Sequence, residues 1–421
     1  MSDQAILRIT REIKQIQQGA DLSLAVHYED SDIRNVRAVI LGPPDTPYQF
    51  GFFEFMIKFG KDYPGNPPSV RALTTNGGRC RFNPNIYSSG RVCLTWRGER
   101  GEQWSSAQCL ESLLISMQTK SPTDKQNMDA YVAKIRHETL RIAVIEPLET
   151  SLNILPSGDL DLLAARASDS DDQLLYEDEK PSFDPFCDFR KSRFMWYFEP
   201  YMQSIDAAEV ESPRKCKFKR MPFESSNNAM DGDFDYAELR RRMIVIKDRI
   251  ISETRNWAVE GLLAKEQEWG IAASLQRQYE QIVESLKHQN NITVDLNLVD
   301  ENPFVWKLTY FGRPMTHLDG GMFKIMIYLS PRFPEEQPRV FMETAFFHVR
   351  VSKEGVLCYV PKRTEEMRYH IEGIVATLEE EHPPYDPRTT VNPEASRLFW
   401  GSASDRKKYN RELRRSVERT A

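Results

Sequence analysis

The sequence predicts an α+β fold that occurs twice, each copy an antiparallel meander sheet with flanking helices, the two copies joined by a partly helical middle region. Three observations carry this prediction. The N-terminal third runs in the order helix, short strands, turn-rich loop and further helices. The C-terminal third repeats many of the same phrases at the same offsets, and the stretch between the two thirds differs from both in composition.

The N-terminal copy begins with an amphipathic helix. Isoleucines recur along it at helical spacing with Arg and Lys between them, and Ser2 or Asp3 can cap its start. Strand-like runs, separated by the turn-forming phrases GPPDTPY and DYPGNPP, follow at residues 36–41, 52–59 and 69–74. Helical patterns then return at residues 109–117 and 128–145.

The C-terminal third repeats this order. The segments GFFEFMIKFGKDYPGNPPSVRALT from Gly51 and GMFKIMIYLSPRFPEEQPRVFMET from Gly321 keep an aromatic strand, a (Tyr or Phe)-Pro step, a second proline and an outgoing strand at equal offsets. Each copy then reaches a loop with one cysteine, Cys93 in FNPNIYSSGRVCLTW and Cys358 in FHVRVSKEGVLCYV. Internal similarity on this scale indicates two domains of one fold.

The middle of the chain has a composition of its own. The acidic run SDSDDQLLYEDEK at residues 168–180 is typical of a solvated linker, whereas residues 183–202 are too aromatic to be disordered and must pack on something. Residues 234–256 form an amphipathic helical pattern. We therefore expect a first domain, an acidic linker with a helical extension, and a second domain, at residues 1–155, 156–265 and 266–421.

Composition narrows the classes of function. A formal net charge of −6 over 421 residues gives no basic surface for nucleic acid. The N-terminus lacks an apolar signal region, and no apolar run is long enough to span a bilayer. We expect a soluble protein of the cytoplasm, the nucleus or both, which binds neither nucleic acid nor membrane. The six cysteines form no C-x-x-C pair, so we expect free thiols and no metal site.

Three phrases of the first domain together resemble the catalytic domain of ubiquitin-conjugating enzymes. They are G-P-x-D-T-P-Y-x-x-G-x-F, D-Y-P-x-x-P-P and N-P-N-x-Y-x-x-G-x-V-C-L, at residues 42–53, 62–68 and 83–94. Asn83, in place of the family's usual His, and the long interval from Cys93 to Trp104 are similar to the large Z-type members. That likeness covers about residues 1–260, and the remainder resembles a second copy of the conjugating fold.

The resemblance implies a transthiolation. An activating enzyme passes ubiquitin, or a ubiquitin-like modifier, to Cys93 as a thioester, and the lysine of a protein substrate or a ligase then receives it. A cysteine with an ordinary pKa near 8.5 is already a few per cent ionised at neutral pH, so no adjacent histidine is required, in agreement with Asn83. Asn85 is the candidate donor to the oxyanion, or else a side chain that stabilises the loop. No metal or bound organic cofactor is implied, and residues 1–155 form the catalytic domain.

The second cysteine loop keeps half of the pattern. His348 and Cys358 are ten residues apart, as Asn83 and Cys93 are, but Arg350 stands in the position of Asn85. Two alternatives remain for this domain. Either Cys358 is catalytic as well, or the domain is a degenerate copy that binds ubiquitin, a ligase or the first domain.

Further roles around the first cysteine stay open. Many family members use an acidic residue to orient the incoming lysine. Asp124 and Asp129 are both candidates for this role here, and the sequence selects neither. Trp104 is expected to hold the loop after Cys93 by burial, and the charged insert at residues 97–103 is expected to be exposed. A non-catalytic binding protein of the same fold is the alternative to an enzyme. A Cys–His thiol hydrolase is disfavoured because no hydrolase signature accompanies either cysteine.

Overall fold

The computed structural model describes residues 2–18, 21–83, 86–87, 89–93, 104–105, 108–118, 125–161, 184–211, 216–221, 224, 230–267, 270–289 and 291–420. The chain divides into two compact units, Met1–Arg190 with Ser204–Ile246, and Lys191–Gln203 with Lys247–Ala421. No helix in the described part of the chain has both the length and the hydropathy needed to cross a membrane.

The first unit is built on a four-stranded sheet in the order β1-β2-β3-β4, with every neighbouring pair antiparallel. Helix α1 (Ser2–Gln18) leads into the strands β1 (Leu24–Tyr28), β2 (Asn35–Leu41), β3 (Phe52–Lys58) and β4 (Ser69–Ala72). Three helices follow, with a π-helical stretch (Thr139–Ile145) before the last of them: α2 (Leu110–Gln118), α3 (Lys125–Glu138) and α4 (Glu146–Leu152). The apolar face of α1 packs on the sheet through Ile9, Ile13 and Ile16.

The middle of the chain contributes two long helices, α5 (Cys187–Glu211) and α6 (Tyr236–Glu266). The second unit then repeats the architecture of the first with α7 (Gly270–His288) and a second antiparallel meander, β5-β6-β7-β8. Its strands are β5 (Val294–Val299), β6 (Asn302–Phe311), β7 (Met322–Tyr328) and β8 (Arg339–Met342). Its last helices are α8 (Met367–Glu379), α9 (Pro393–Phe399) and α10 (Ala403–Glu418).

The predicted α+β class, with two antiparallel meander sheets and flanking helices, is confirmed. The sequence analysis missed β1 and β5, the first strand of each sheet. Both are short edge strands that pair on one side only, and β5 alternates buried with exposed residues over only its first four of six residues. The positions proposed for the boundaries between the three regions stay predictions.

The aromatic stretch after residue 183 covers the outer face of the first sheet, opposite the helices. Phe186 is 2 % exposed, and Phe189 meets Phe52 edge to face at 6.3 Å between ring centroids. Arg190 contacts Glu54 on β3 at 2.6 Å between Nη2 and Oε2. The expectation that this stretch packs is confirmed, whereas the acidic run at residues 168–180 lies outside the described residues. Central strand β2 is thus covered on both faces, like a strand of a buried sheet.

Candidate active site

Cys93 lies at the end of a segment that returns alongside β4. The amide of Ala72 donates to the carbonyl of Gly90 at 2.7 Å, and the amide of Val92 donates to the carbonyl of Val70 at 3.2 Å. The chain emerges from this pairing one residue before Cys93, whose side chain is exposed. The thiol therefore lies beside the edge of the sheet in a position that a macromolecule can reach.

Gly90 makes this return possible. Its φ of +80° lies in the left-handed region, and a Cβ at this position would stand 2.4 Å from the carbonyl oxygen of Ala72. The second unit repeats both features at Gly355, with φ +85° and a Cβ that would stand 2.4 Å from the carbonyl oxygen of Met342. Glycine at position 90 thus lets the backbone turn, and the two cysteine loops share one backbone design.

The start of the Cys93 loop is held at Phe82. The carbonyl oxygen of this residue accepts hydrogen bonds from the hydroxyls of Tyr48, at 2.5 Å, and Tyr131, at 3.1 Å. The next turn closes where the amide of Ile86 donates to the carbonyl of Asn83 at 2.9 Å. Neither tyrosine was singled out by the sequence analysis, because their meeting at Phe82 joins segments far apart in the chain.

Several predicted site residues cannot be placed. Asn85, Asp124 and the charged insert at residues 97–103 lie outside the described residues, so their roles stay predictions. Asp129 is exposed on α3. Trp104 is half-buried against the core of the first unit, as expected, and its indole also donates to the carbonyl of Pro64 at 2.7 Å between Nε1 and O.

Glu12 is a buried acid that the sequence analysis missed. Its Oε2 accepts from the Tyr63 hydroxyl at 2.6 Å and from the Leu110 amide at 2.9 Å, and its Oε1 accepts from Arg8 Nε at 2.8 Å. Burial, and then the hydrogen bond to Glu12, raise the pKa of Tyr63, which stays a protonated donor. Glu12 thus joins α1 to the start of α2. An acidic residue on the isoleucine face of an amphipathic helix was the available signal.

Cys358 has the same backbone setting as Cys93 but the opposite environment. The Met342 amide donates to the carbonyl of Gly355 at 2.7 Å, as in the first unit, yet Cys358 itself is 0 % exposed. Burial raises its pKa to about 12, and the nearby cations Arg350 and Arg193 offset only part of that rise. At neutral pH this cysteine is a protonated, enclosed thiol.

Two segments of the second unit enclose the Cys358 loop. On α5, the hydroxyl of Tyr197 donates to the carbonyl of Arg388 at 2.8 Å, and Glu199 accepts from the backbone amide of Lys353. The turn at Val349, which precedes Cys358, is also covered, because the amide of Val391 donates to the carbonyl of Val349 at 3.1 Å. The thiol therefore has no open path to a macromolecular partner in this arrangement.

The polar residues of the second loop are also engaged. Arg350, in the position of Asn85, contacts Glu380 at 2.9 Å between Nη2 and Oε2. His348 is 2 % exposed and stacks on Phe346, and its Nδ1 accepts from the Arg350 amide at 3.2 Å. Burial first, and then the charges of His317 and Arg350, lower the pKa of His348 to about 3. This imidazole is neutral at physiological pH and serves as an internal acceptor.

The low pKa of His348 predicts that acid weakens the second unit. Between pH 6.5 and about 3 the unfolded chain binds a proton at this histidine and the folded chain does not, so stability falls as pH falls. From pH 7 to pH 5 we expect His348 to contribute a loss of about 2 kcal/mol. His348→Asn, which restores the residue type of Asn83, should remove that part of the loss. Urea unfolding of both proteins at the two pH values is the measurement, and an equal loss in both would contradict the assignment.

Comparison with known proteins places the chain. A family model described as "Ubiquitin-conjugating enzyme" matches residues 8–141 and 274–415, which together cover well over half of the sequence. The chain belongs to the ubiquitin-conjugating enzyme family. The match in two segments also confirms the two conjugating folds inferred from the internal repeat.

The curated relatives indicate which type of ubiquitin-conjugating enzyme the chain resembles. Ubiquitin-conjugating enzyme E2 Z of Xenopus tropicalis is 41% identical over 162 residues, 35% of this chain and 52% of the relative. Its Homo sapiens counterpart is 29% identical over 270 residues, 60% of this chain and 66% of the relative. The dual E2 ubiquitin-conjugating enzyme/E3 ubiquitin-protein ligase BIRC6 of Homo sapiens is 33% identical over 149 residues, 30% of this chain and 3% of the relative. The chain is thus a large E2 Z-type protein, and it spans about half the length of the E2 Z relative from Xenopus.

Solved structures match parts of the chain. Human ubiquitin-conjugating enzyme E2 G1 is 27% identical, covers 28% of this chain and 94% of its own, and has a TM-score of 0.25. An E2 domain from Toxoplasma gondii is 30% identical, covers 32% of this chain and 97% of its own, and has a TM-score of 0.28. The names of the sequence relatives support an E2-like function for this family member in general.

Proposed function

We propose that this chain is a ubiquitin-conjugating enzyme whose first domain carries ubiquitin, or a ubiquitin-like modifier, as a thioester on Cys93. The observation that carries the proposal is the exposure of Cys93 at the end of a glycine-dependent return along β4, in a member of this family. A buried cysteine on the same backbone would instead have favoured a non-catalytic binding module.

The proposed reaction has two transfers. The Cys93 thiolate attacks the modifier's C-terminal carbonyl carbon, a new C–S bond forms, the C–S bond to the activating enzyme breaks, and the sulfur of that enzyme leaves as a thiolate. A lysine amine, or the thiol of a ligase, then attacks the same carbon, and the Cys93 sulfur leaves with the bonding electron pair. We assign Asn85 as the donor to the oxyanion of the second transfer, and Asp124 or Asp129 as the residue that receives or orients the amine's proton.

For the second domain we propose the non-catalytic alternative. Its cysteine is fully enclosed, and burial raises the pKa of Cys358 to about 12, so neither access nor ionisation favours a thioester there. The position corresponding to Asn85 holds Arg350 in an ion pair with Glu380. This domain would bind a modifier, a ligase or another partner without carrying it covalently.

The partners follow from this proposal. They are a modifier, an activating enzyme, a ubiquitin ligase and protein substrates, in the cytoplasm, the nucleus or both. We expect no metal or organic cofactor in the transfer itself, since ATP is consumed by the activating enzyme. Within the described residues, no group of three His, Cys, Asp or Glu side chains is arranged to hold a metal ion.

A charging assay tests the proposal. The full chain is incubated with activating enzyme, ATP and ubiquitin, and the products are separated on gels with and without thiol reductant. We expect an adduct that reductant removes, and we expect Cys358→Ser to form it at the wild-type rate, because the enclosed sulfur takes no part. An adduct lost in Cys358→Ser would place the activity in the second domain, and no adduct with any modifier would refute the proposal.

A further inference from the structure

Two tyrosine hydroxyls from separate segments converge on a single backbone oxygen. Tyr48, in the turn between β2 and β3, donates to the carbonyl of Phe82 at 2.5 Å. The Tyr131 hydroxyl, on α3, lies 3.1 Å from the same carbonyl and 3.1 Å from the carbonyl of Arg81, and its one proton is shared between them. A carbonyl oxygen has two lone pairs, so the Phe82 oxygen can accept from both hydroxyls at once.

The aromatic rings around this oxygen keep water away from it. Phe82 is 3 % exposed and meets Phe53 edge to face at 5.0 Å, while Phe53 meets Tyr48 edge to face at 5.8 Å. Burial raises the pKa of Tyr48 to about 12, so its hydroxyl remains a donor throughout the physiological pH range. If both donors were lost, the buried carbonyl would be left without a hydrogen bond. This would destabilise the present backbone conformation and favour one in which the carbonyl turns toward solvent.

The position of this oxygen is transmitted to Cys93 by successive backbone contacts. The Phe82 carbonyl belongs to the peptide that begins Asn83, whose own carbonyl accepts from the Ile86 amide at 2.9 Å. Ile86 is bridged to Val92, the residue before Cys93. A rotation of the Phe82 peptide therefore displaces the turn on which the paired residues before Cys93 rest.

The second unit lacks the first of these two donors. The turn between β6 and β7 repeats the backbone of the first: the Gly321 amide donates to the carbonyl of Leu318 at 3.0 Å, as the Gly51 amide donates to the carbonyl of Tyr48 at 2.9 Å. Leucine thus stands where Tyr48 stands and offers no hydroxyl. The tyrosine pair is a property of the unit with the exposed cysteine.

We propose that Tyr48 and Tyr131 are positioning residues for transfer from Cys93, because together they fix the Phe82 carbonyl and, through the contacts of Asn83 with Ile86 and of Ile86 with Val92, the residue before Cys93. The inference rests on the proposed function for its catalytic consequence, but the positioning itself is a property of the loop alone. Each tyrosine alone holds the carbonyl less firmly than the pair does. The loss of both should therefore slow transfer by at least the product of the two single losses.

The test uses Tyr48→Phe, Tyr131→Phe and the double variant in the full chain, with Tyr385→Phe as the matched control. Tyr385 is 60% exposed in the second unit. Hydrogen exchange is followed at the Ile86 and Gly90 amides, and both the formation and the discharge of the Cys93 thioester to free lysine are timed. Exchange needs no thioester, so it reports on the loop even if the chain proves not to be charged.

We expect each single variant to slow discharge about two- to threefold, and the double variant about tenfold or more, with formation within about twofold of the wild type. Exchange at Ile86 and Gly90 should rise in the double variant while exchange in the second unit stays unchanged. Unchanged exchange in the double variant would overturn the inference, and so would faster exchange throughout the first unit, which would indicate a general folding role. Faster loop exchange in a chain that forms no thioester would refute the proposed function and the link to transfer, while the hold on the loop would stand.

Discussion

Cys93→Ser is expected to abolish the reductant-sensitive adduct completely. A serine hydroxyl is far less ionised than a thiol at neutral pH, so the rate of charging should collapse. Any modifier that does arrive would be held as an oxygen ester, which thiol reductants do not cleave. The full chain with activating enzyme, ATP and ubiquitin, run on gels with and without reductant, gives the readout.

A matched control is available within the chain. Cys216 is also exposed, but it lies in the middle region and not on a loop beside a sheet. Cys216→Ser should charge at the wild-type rate. A reductant-sensitive adduct that persists in Cys93→Ser, or that disappears in Cys216→Ser, would show that another sulfur carries the modifier.

Gly90→Ala is expected to destabilise the first unit more than any other single-methyl change considered. An alanine here would be held in the left-handed backbone conformation, which L-residues disfavour. Its Cβ would also stand 2.4 Å from a backbone oxygen of β4, which cannot move aside as a flexible side chain could. We expect a loss of about 3 kcal/mol or more in the free energy of unfolding, together with slow charging of Cys93. Denaturant unfolding followed by fluorescence measures the first effect.

Gly77→Ala separates the cost of the positive φ from the cost of the contact with β4. Gly77 has a comparable φ of +62°, but a Cβ there would meet nothing within 4 Å. This variant should lose only the conformational part, about 1 kcal/mol. If both variants lost the same stability, the contact with β4 would not be the reason for glycine at position 90.

The sequence was sufficient to predict the fold and the candidate nucleophile because both are visible in local sequence patterns. Turn phrases, strand patterns and the spacing of the cysteine loops occur at equal offsets in the two copies, and a repeat is visible without any structure. The edge strands β1 and β5 have weak sequence patterns, since each is short and pairs with a single neighbour.

The environment of each cysteine could not be predicted. Cys93 and Cys358 follow the same backbone route, and only the structure separates an exposed sulfur from an enclosed one. The enclosure depends on Tyr197 and Val391, which approach the second loop from distant parts of the chain. The pair of hydroxyls at Phe82 was missed for the same reason, because it joins segments that no local pattern connects. For Glu12 the local signal on the isoleucine face of α1 was available, but its partners Tyr63 and Leu110 were not predictable.

The aromatic stretch that covers the outer face of the first sheet limits where the chain can be cut to produce the N-terminal domain alone. A polypeptide cut at residue 155 would lose the aromatic ring of Phe186 and the guanidinium that Arg190 places against Glu54. A bare strip of hydrophobic surface would then invite self-association. A soluble N-terminal fragment should therefore include residue 190 and also Ser204–Ile246, which belong to the same unit and supply Arg242 to the buried Glu149.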